Sequence, residues 1–220
     1  MNIEQPEITV QALVLASRDS GVTGKRLDIV TLEKGRMVVF VPQGRRIGRH
    51  GGAVLPGSRM HMTLRYSQNG WQVVQADGTT LVDVFMWTYE DWLCYYAYPR
   101  WLGELFPVET EEIDLYQLTE RYLCALVNKH FVISTLIVCW QASVLAGYDP
   151  MVLAAEGKLP LDNAAKRGLQ SVLSYTWENA TPMVWKSGML LRLAQTLIYF
   201  AQYHVGVNVP AFNELVKEKY

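Results

Sequence analysis

Only three cysteines occur in 220 residues, Cys94, Cys124 and Cys139, and no two form a Cys-x-x-Cys pair. That number and spacing exclude a disulfide framework and a zinc ribbon, so the three read as reduced, packed core thiols. Catalytic motifs are missing as well. There is no Gly-x-Ser-x-Gly elbow, no His-Glu-x-x-His and no dinucleotide fingerprint. His50 and His61 lack an acidic partner at metal spacing, and His130 and His204 stand alone in helical patterns. Apolar runs are short. The longest, Thr135 to Trp140 and on to Ala146, is broken by Gln141 and Ser143 and falls well below the roughly 20 residues that cross a bilayer. The opening MNIEQPEITV has neither the basic nor the apolar region of a secretory signal, which predicts a cytoplasmic protein with no membrane partner.

What is present is apolar and unevenly charged. Half of the residues are hydrophobic and 11% are aromatic, enough for one large core or two modest ones. The net charge of -1 hides a division along the chain. Residues 1–80 carry ten Lys and Arg against six Asp and Glu, and residues 81–220 carry ten against fifteen. A local field governs partner choice more than the sum does, so the front half is a candidate for an anionic partner.

The two halves also differ in pattern. Up to about Ala76, beads of Val, Leu, Ile, Thr and Met alternate with glycine in five strand candidates: ITVQALVLASR, LDIVTLEKG, MVVFVPQG, MHMTLRYSQNG and WQVVQADG. SQNG before Trp71 is a hairpin signal, since Asn and Gly both tolerate positive φ. Five short strands in this length predict a small closed barrel of the OB type, with an SH3-like barrel as the alternative. After Gly78 the apolar spacing becomes three and four: Phe85, Tyr89, Trp92 and Tyr96; Leu115, Leu118, Tyr122 and Ala125; Leu169, Val172, Leu173 and Thr176; Leu190, Ala194, Leu197 and Ala201. The expected class is therefore α+β: a barrel domain over residues 1–80, then an all-helical domain over residues 81–220. Pro99 and Pro107 are expected to interrupt the first helical stretch, GYDP at Gly147–Pro150 to end a helix, and Asp162 and Thr181 to act as N-caps.

Five of the twenty Lys and Arg residues fall between Lys34 and Arg49. Lys34, Arg36, Arg45, Arg46 and Arg49 lie on a strand and a turn containing Gly44, Gly48, Gly51 and Gly52, where backbone can approach a phosphate chain and arginine supplies forked donors. SGVTGKR at Ser20–Arg26 imitates a phosphate loop. However, Asp19 stands where the first glycine is needed and Arg26 where a Ser or Thr should hold magnesium, so a hairpin loop presenting Lys25 and Arg26 is the better reading. Phe40, Tyr66 and Trp71 are the only aromatics in the first eighty residues, which predicts a salt-dependent grip on backbone rather than a base-stacking platform. The acidic run Glu109–Asp114 suits a helix start better than a carboxylate catalyst. No nucleophile–base or metal set can be assembled, so a non-enzymatic protein without a cofactor is expected.

Several local strings, in order from about Val10 to Lys217, resemble the RecO family of bacterial recombination mediators. They are the VL-x-x-R opening (Val14, Leu15, Arg18), TLEKG (Thr31–Gly35), VPQGRR (Val41–Arg46), Trp101-Leu102-x-Glu104-Leu105, an acidic stretch, and a helix ending in GYDP. The resemblance implies an N-terminal OB-fold, a helical C-terminal domain and a nucleoid-associated role in DNA repair. Its members bind single- and double-stranded DNA, anneal complementary strands, and act with RecR to load RecA onto strands covered by single-strand-binding protein. The family's basic strand and turn correspond to Lys34, Arg36, Arg45, Arg46 and Arg49. Its helical domain docks the acidic tail of single-strand-binding protein, for which Arg121, Lys129 and Arg192 are candidates as isolated cations in apolar helices. The sequence departs from the family where many members carry four zinc-ligating cysteines, since Asp149–Arg167 contains none. It departs again at GRHGGAV, which replaces a small hydroxylated residue after the basic turn. A different class of function, an adaptor whose barrel binds a repair partner with little DNA contact, fits the modest charge of the front half.

Overall fold

The computed structural model describes residues 7–42, 54–178 and 187–216. Its chain forms two compact units. One comprises Met1–Met86 with Pro107–Cys124, and the other Trp87–Phe106 with Ala125–Tyr220.

The first unit holds a closed five-stranded barrel, in which β1 (Glu7–Ser20), β2 (Gly24–Thr31), β3 (Gly35–Val41), β4 (Ser58–Ser67) and β5 (Gly70–Thr80) neighbour one another in the order β1-β2-β3-β5-β4. This is the OB order, and the helices that follow complete the α+β class. Alternation explains why the strands close. Val10, Ala12 and Val14, Leu27 and Ile29, Met37, Val39 and Val41, Met60, Met62 and Leu64, with Val73 and Ala76, fill one core from the inner faces of all five strands. Bulges between Val14 and Ala16 and between Thr63 and Leu64 bend the longest strands around it.

Local chemistry sets the turns. SGVTGKR is the β1–β2 hairpin, closed by the Ser20–Gly24 pair, and no helix follows it. TLEKG joins two strands: Thr31 ends β2, Leu32, Glu33 and Lys34 turn, and Gly35 opens β3. The Thr31 hydroxyl donates to Gly35 O at 3.0 Å and accepts from Lys34 N–H at 3.0 Å, while Gly35 takes φ +62°. In SQNG, glycine alone takes the positive φ, at +94°, and the Ser67 hydroxyl holds the loop by donating to Gly70 O. Helix α2 (Ile113–Ala125) belongs almost wholly to this unit.

The second unit is helical: α1 (Tyr89–Leu105), α3 (Phe131–Leu145), α4 (Pro150–Ala155), α5 (Asn163–Leu173) and α6 (Ser187–Phe200), with a π-helical turn at Ala201–Val205 and a 3-10 turn at Pro210–Leu215. Thr88 and Asp91 form a reciprocal capping box that starts α1. Phe85 and Tyr89 are 79% and 75% exposed, so the apolar stripe begins at Cys94 and Tyr95 instead. Pro99 lies inside α1 and does not interrupt it. A proline there costs about 3 kcal/mol, which the burial of Tyr95, Tyr98, Trp101 and Leu102 around it offsets. The Trp101 indole donates to Cys139 O and Ser143 Oγ at 3.0 and 3.1 Å, fixing α1 on α3. Gly147 takes φ +90° after α3, Pro150 opens α4, and Asp162 caps α5 through Ala165 N–H. Thr181 lies outside the described residues. Of the thiols, Cys94 and Cys139 are buried, and burial pushes Cys139 well above the usual thiol range. Cys124 is exposed, contrary to the expectation of three core thiols.

Candidate nucleic-acid interface

Strand register builds a row of side chains across the outside of the barrel. Arg18 on β1 pairs with Arg26 on β2, Arg26 with Phe40 on β3, Phe40 with Gln72 on β5, and Gln72 with Arg65 on β4. Leu27, Val39, Val73 and Leu64, next along β2, β3, β5 and β4, point into the core, so the row faces outward there, and Arg18 on β1 is exposed. Arg18 and Arg26 are exposed and form no ion pair with another described residue. Directly opposed residues lie about 5 Å apart at Cβ, where like charges repel. Among the described residues, Arg65 at the far end of the row is the one member paired with a carboxylate, Glu7 at 2.5 Å. Lys25 points the other way, opposite Asp19 and Val41. The Phe40 ring lies over Gly24 so closely that a Cβ there would collide with it.

The other end of β3 is arranged differently. Arg36 is five residues from Val41, about 16 Å at strand rise. Its guanidinium contacts Asp28 at 3.1 Å in a half-buried pair. Lys34, in the β2–β3 turn, pairs with Glu111 at 2.9 Å. That hydrogen bond, reinforced by the opposite charge, raises the Lys34 pKa and lowers that of Glu111. The acidic run ahead of α2 crosses β3 as a strap. Glu109 N–H donates to Arg36 O at 2.7 Å, the Trp71 indole donates to Glu109 Oε1 at 3.0 Å, and Thr110 O sits where a Cβ on Gly35 would be. Glu109 itself takes φ +63° to make this crossing. Arg59 is likewise paired, with Glu120 of α2 at 2.5 Å.

The predicted DNA-binding residues therefore do not form one group. Lys34 and Arg36 are neutralised at one end of β3, and Lys25 and Arg26 lie at the other end on opposite faces. Arg45, Arg46 and Arg49 lie outside the described residues. Sequence reasoning missed Arg18 and Phe40 as members of an outer row. The signal was available in the SGVTG hairpin, which sets Ser20 opposite Gly24 and hence Arg18 opposite Arg26.

The three partner-binding candidates are divided between the two units. Arg121 is on α2 in the first unit. Lys129 is the exposed left-handed residue after Leu126–Asn128, and Arg192 on α6 pairs with Asp162, both in the second unit. Hydrogen bonds from Ala165 N–H and Arg192 hold the Asp162 carboxyl below its usual range. Among the described residues no group of three metal-ligating side chains occurs, and no helix is long and apolar enough to cross a membrane. No protein-family model matches the chain, and no curated protein matches it.

Proposed function

We propose that this chain is a nucleic-acid-binding recombination mediator of the RecO type, acting without covalent chemistry. Its barrel grips the phosphate backbones of single- and double-stranded DNA and screens their repulsion so that complementary strands anneal. Its helical unit meets RecR and the tail of single-strand-binding protein. One observation carries the DNA reading: Arg18 and Arg26 are opposed on the outer barrel surface, and neither forms an ion pair with a carboxylate among the described residues. Such a pair gains from an anion lying across it, and a phosphate accepts forked arginine bonds well. In OB barrels the outer face of strands 2 and 3 is a common site for oligonucleotides.

Anisotropy titration of a labelled oligonucleotide at increasing salt tests this reading. With three or four phosphates engaged, a fourfold rise in salt weakens single-strand binding by about 15- to 50-fold, whereas flat salt dependence rejects it. The adaptor reading draws on the carboxylates beside Lys34, Arg36, Arg59 and Arg65, which reduce the cationic field of the barrel. Flat salt dependence together with RecR binding would select it.

A further inference from the structure

Resting on the DNA reading, we propose that the outer barrel row is a single-strand site, in which Phe40 stacks on an unpaired base while Arg18 and Arg26 share the adjoining phosphates. Composition alone argued against stacking, because only three aromatics occur in the first eighty residues. Register changes the weight of one of them. Phe40 is next to Arg26 across β2–β3, and Trp71 is committed elsewhere, packed on the barrel core and bonded to Glu109.

Gly24 supplies the second part of the argument. Its φ is not in the left-handed region, so the backbone does not demand glycine there. Its surroundings do, because a Cβ would meet the Phe40 ring at Cε2 and Cζ and the Ser20 carbonyl oxygen. The ring is thus packed over Gly24 beside Arg26, and a packed ring loses less rotamer freedom on binding than a free one. In a duplex the base faces are already covered by their neighbours, so a lone surface ring gains nothing from them. An unstacked base offers a free π-face regardless of its identity. The combination of opposed arginines and one packed ring therefore selects single strands by chain state rather than by sequence.

The test crosses base removal with a ring substitution, using an oligothymidylate and an abasic strand of equal length and phosphate number. The wild-type protein should prefer the oligothymidylate by about fivefold or more. Phe40→Leu should lose that preference while binding the abasic strand as the wild type does, and Phe40→Tyr should retain it. Quenching of a 2-aminopurine base by the wild type and Phe40→Tyr, but not by Phe40→Leu, provides an independent readout. Equal wild-type binding of the two strands, or a preference that survives in Phe40→Leu, overturns the stacking proposal and leaves the DNA reading in place. Absence of salt-sensitive binding to either strand removes the DNA reading, and this proposal with it.

Discussion

The two ends of the β2–β3 surface carry similar numbers of cations and differ in what faces them. At the turn end, Lys34 meets Glu111, 77 residues further along the chain, and Arg36 meets Asp28 from the neighbouring strand. At the hairpin end, Arg18 and Arg26 face each other with Phe40 alongside. A basic residue already paired with a carboxylate contributes little to long-range attraction, whereas an unbalanced pair keeps its field and pays for its own repulsion. Cation content along the sequence therefore says less about a nucleic-acid contact than cation register does.

Removing the unbalanced pair should produce the largest effect. Arg18→Ala with Arg26→Ala is expected to weaken single-strand binding by more than about a hundredfold at low salt, since each charge-assisted contact is worth roughly 1.5–3 kcal/mol. The salt slope should fall by about 1.4, corresponding to two phosphate contacts. Lys34→Ala should change affinity by no more than about twofold, because its charge is already opposed. Anisotropy titrations of both variants measure the contrast, and equal losses would erase the difference between the two ends.

Much of this architecture was legible in the residues, for reasons that differ by element. The five strands followed from apolar beads punctuated by glycine, such as Met37–Val41, a local signal that the barrel preserves. Asp162 and the GYDP turn were legible because caps act within one helical turn. The run through Pro99 was not, since the burial that tolerates it comes from helices distant in sequence. Neutralisation of Lys34 was equally hidden: ETEEID has the composition of a helix start, and nothing local shows that the segment first crosses Gly35. The candidate site was half legible. Arg26 was named from its charge, but Arg18 and Phe40 become its neighbours only through strand pairing.

The strap can be tested through the glycine beneath it. Gly35→Ala should lower stability by more than about 1 kcal/mol, because φ +62° is unfavourable for alanine and the new methyl would collide with Thr110 O. Chemical denaturation measures the loss. An unchanged midpoint would mean that the strap yields at no cost and that the turn end is not built around it.

A small gain should come from freeing Lys34 without disturbing the backbone. Glu111→Gln removes the opposing charge and keeps the side-chain shape, so single-strand affinity at neutral pH and low salt should rise by about two- to threefold. The sign of its pH dependence follows from the shifted carboxyl. Glu111 has a lowered pKa in the folded chain, so its pairing is present above the ordinary carboxylate range and is lost as pH falls through the lowered value. Lys34 has a raised pKa and stays charged throughout that window, with pairing lost only at strongly alkaline pH. Wild-type affinity should therefore approach that of Glu111→Gln as acid protonates Glu111. Taking the ratio of the two proteins cancels the other carboxylates, which titrate in both. A ratio that stays constant from neutral pH down through the acidic range would show that the Lys34–Glu111 pair does not restrain binding, and the contrast between the two ends would then rest on Arg36 and Asp28 alone.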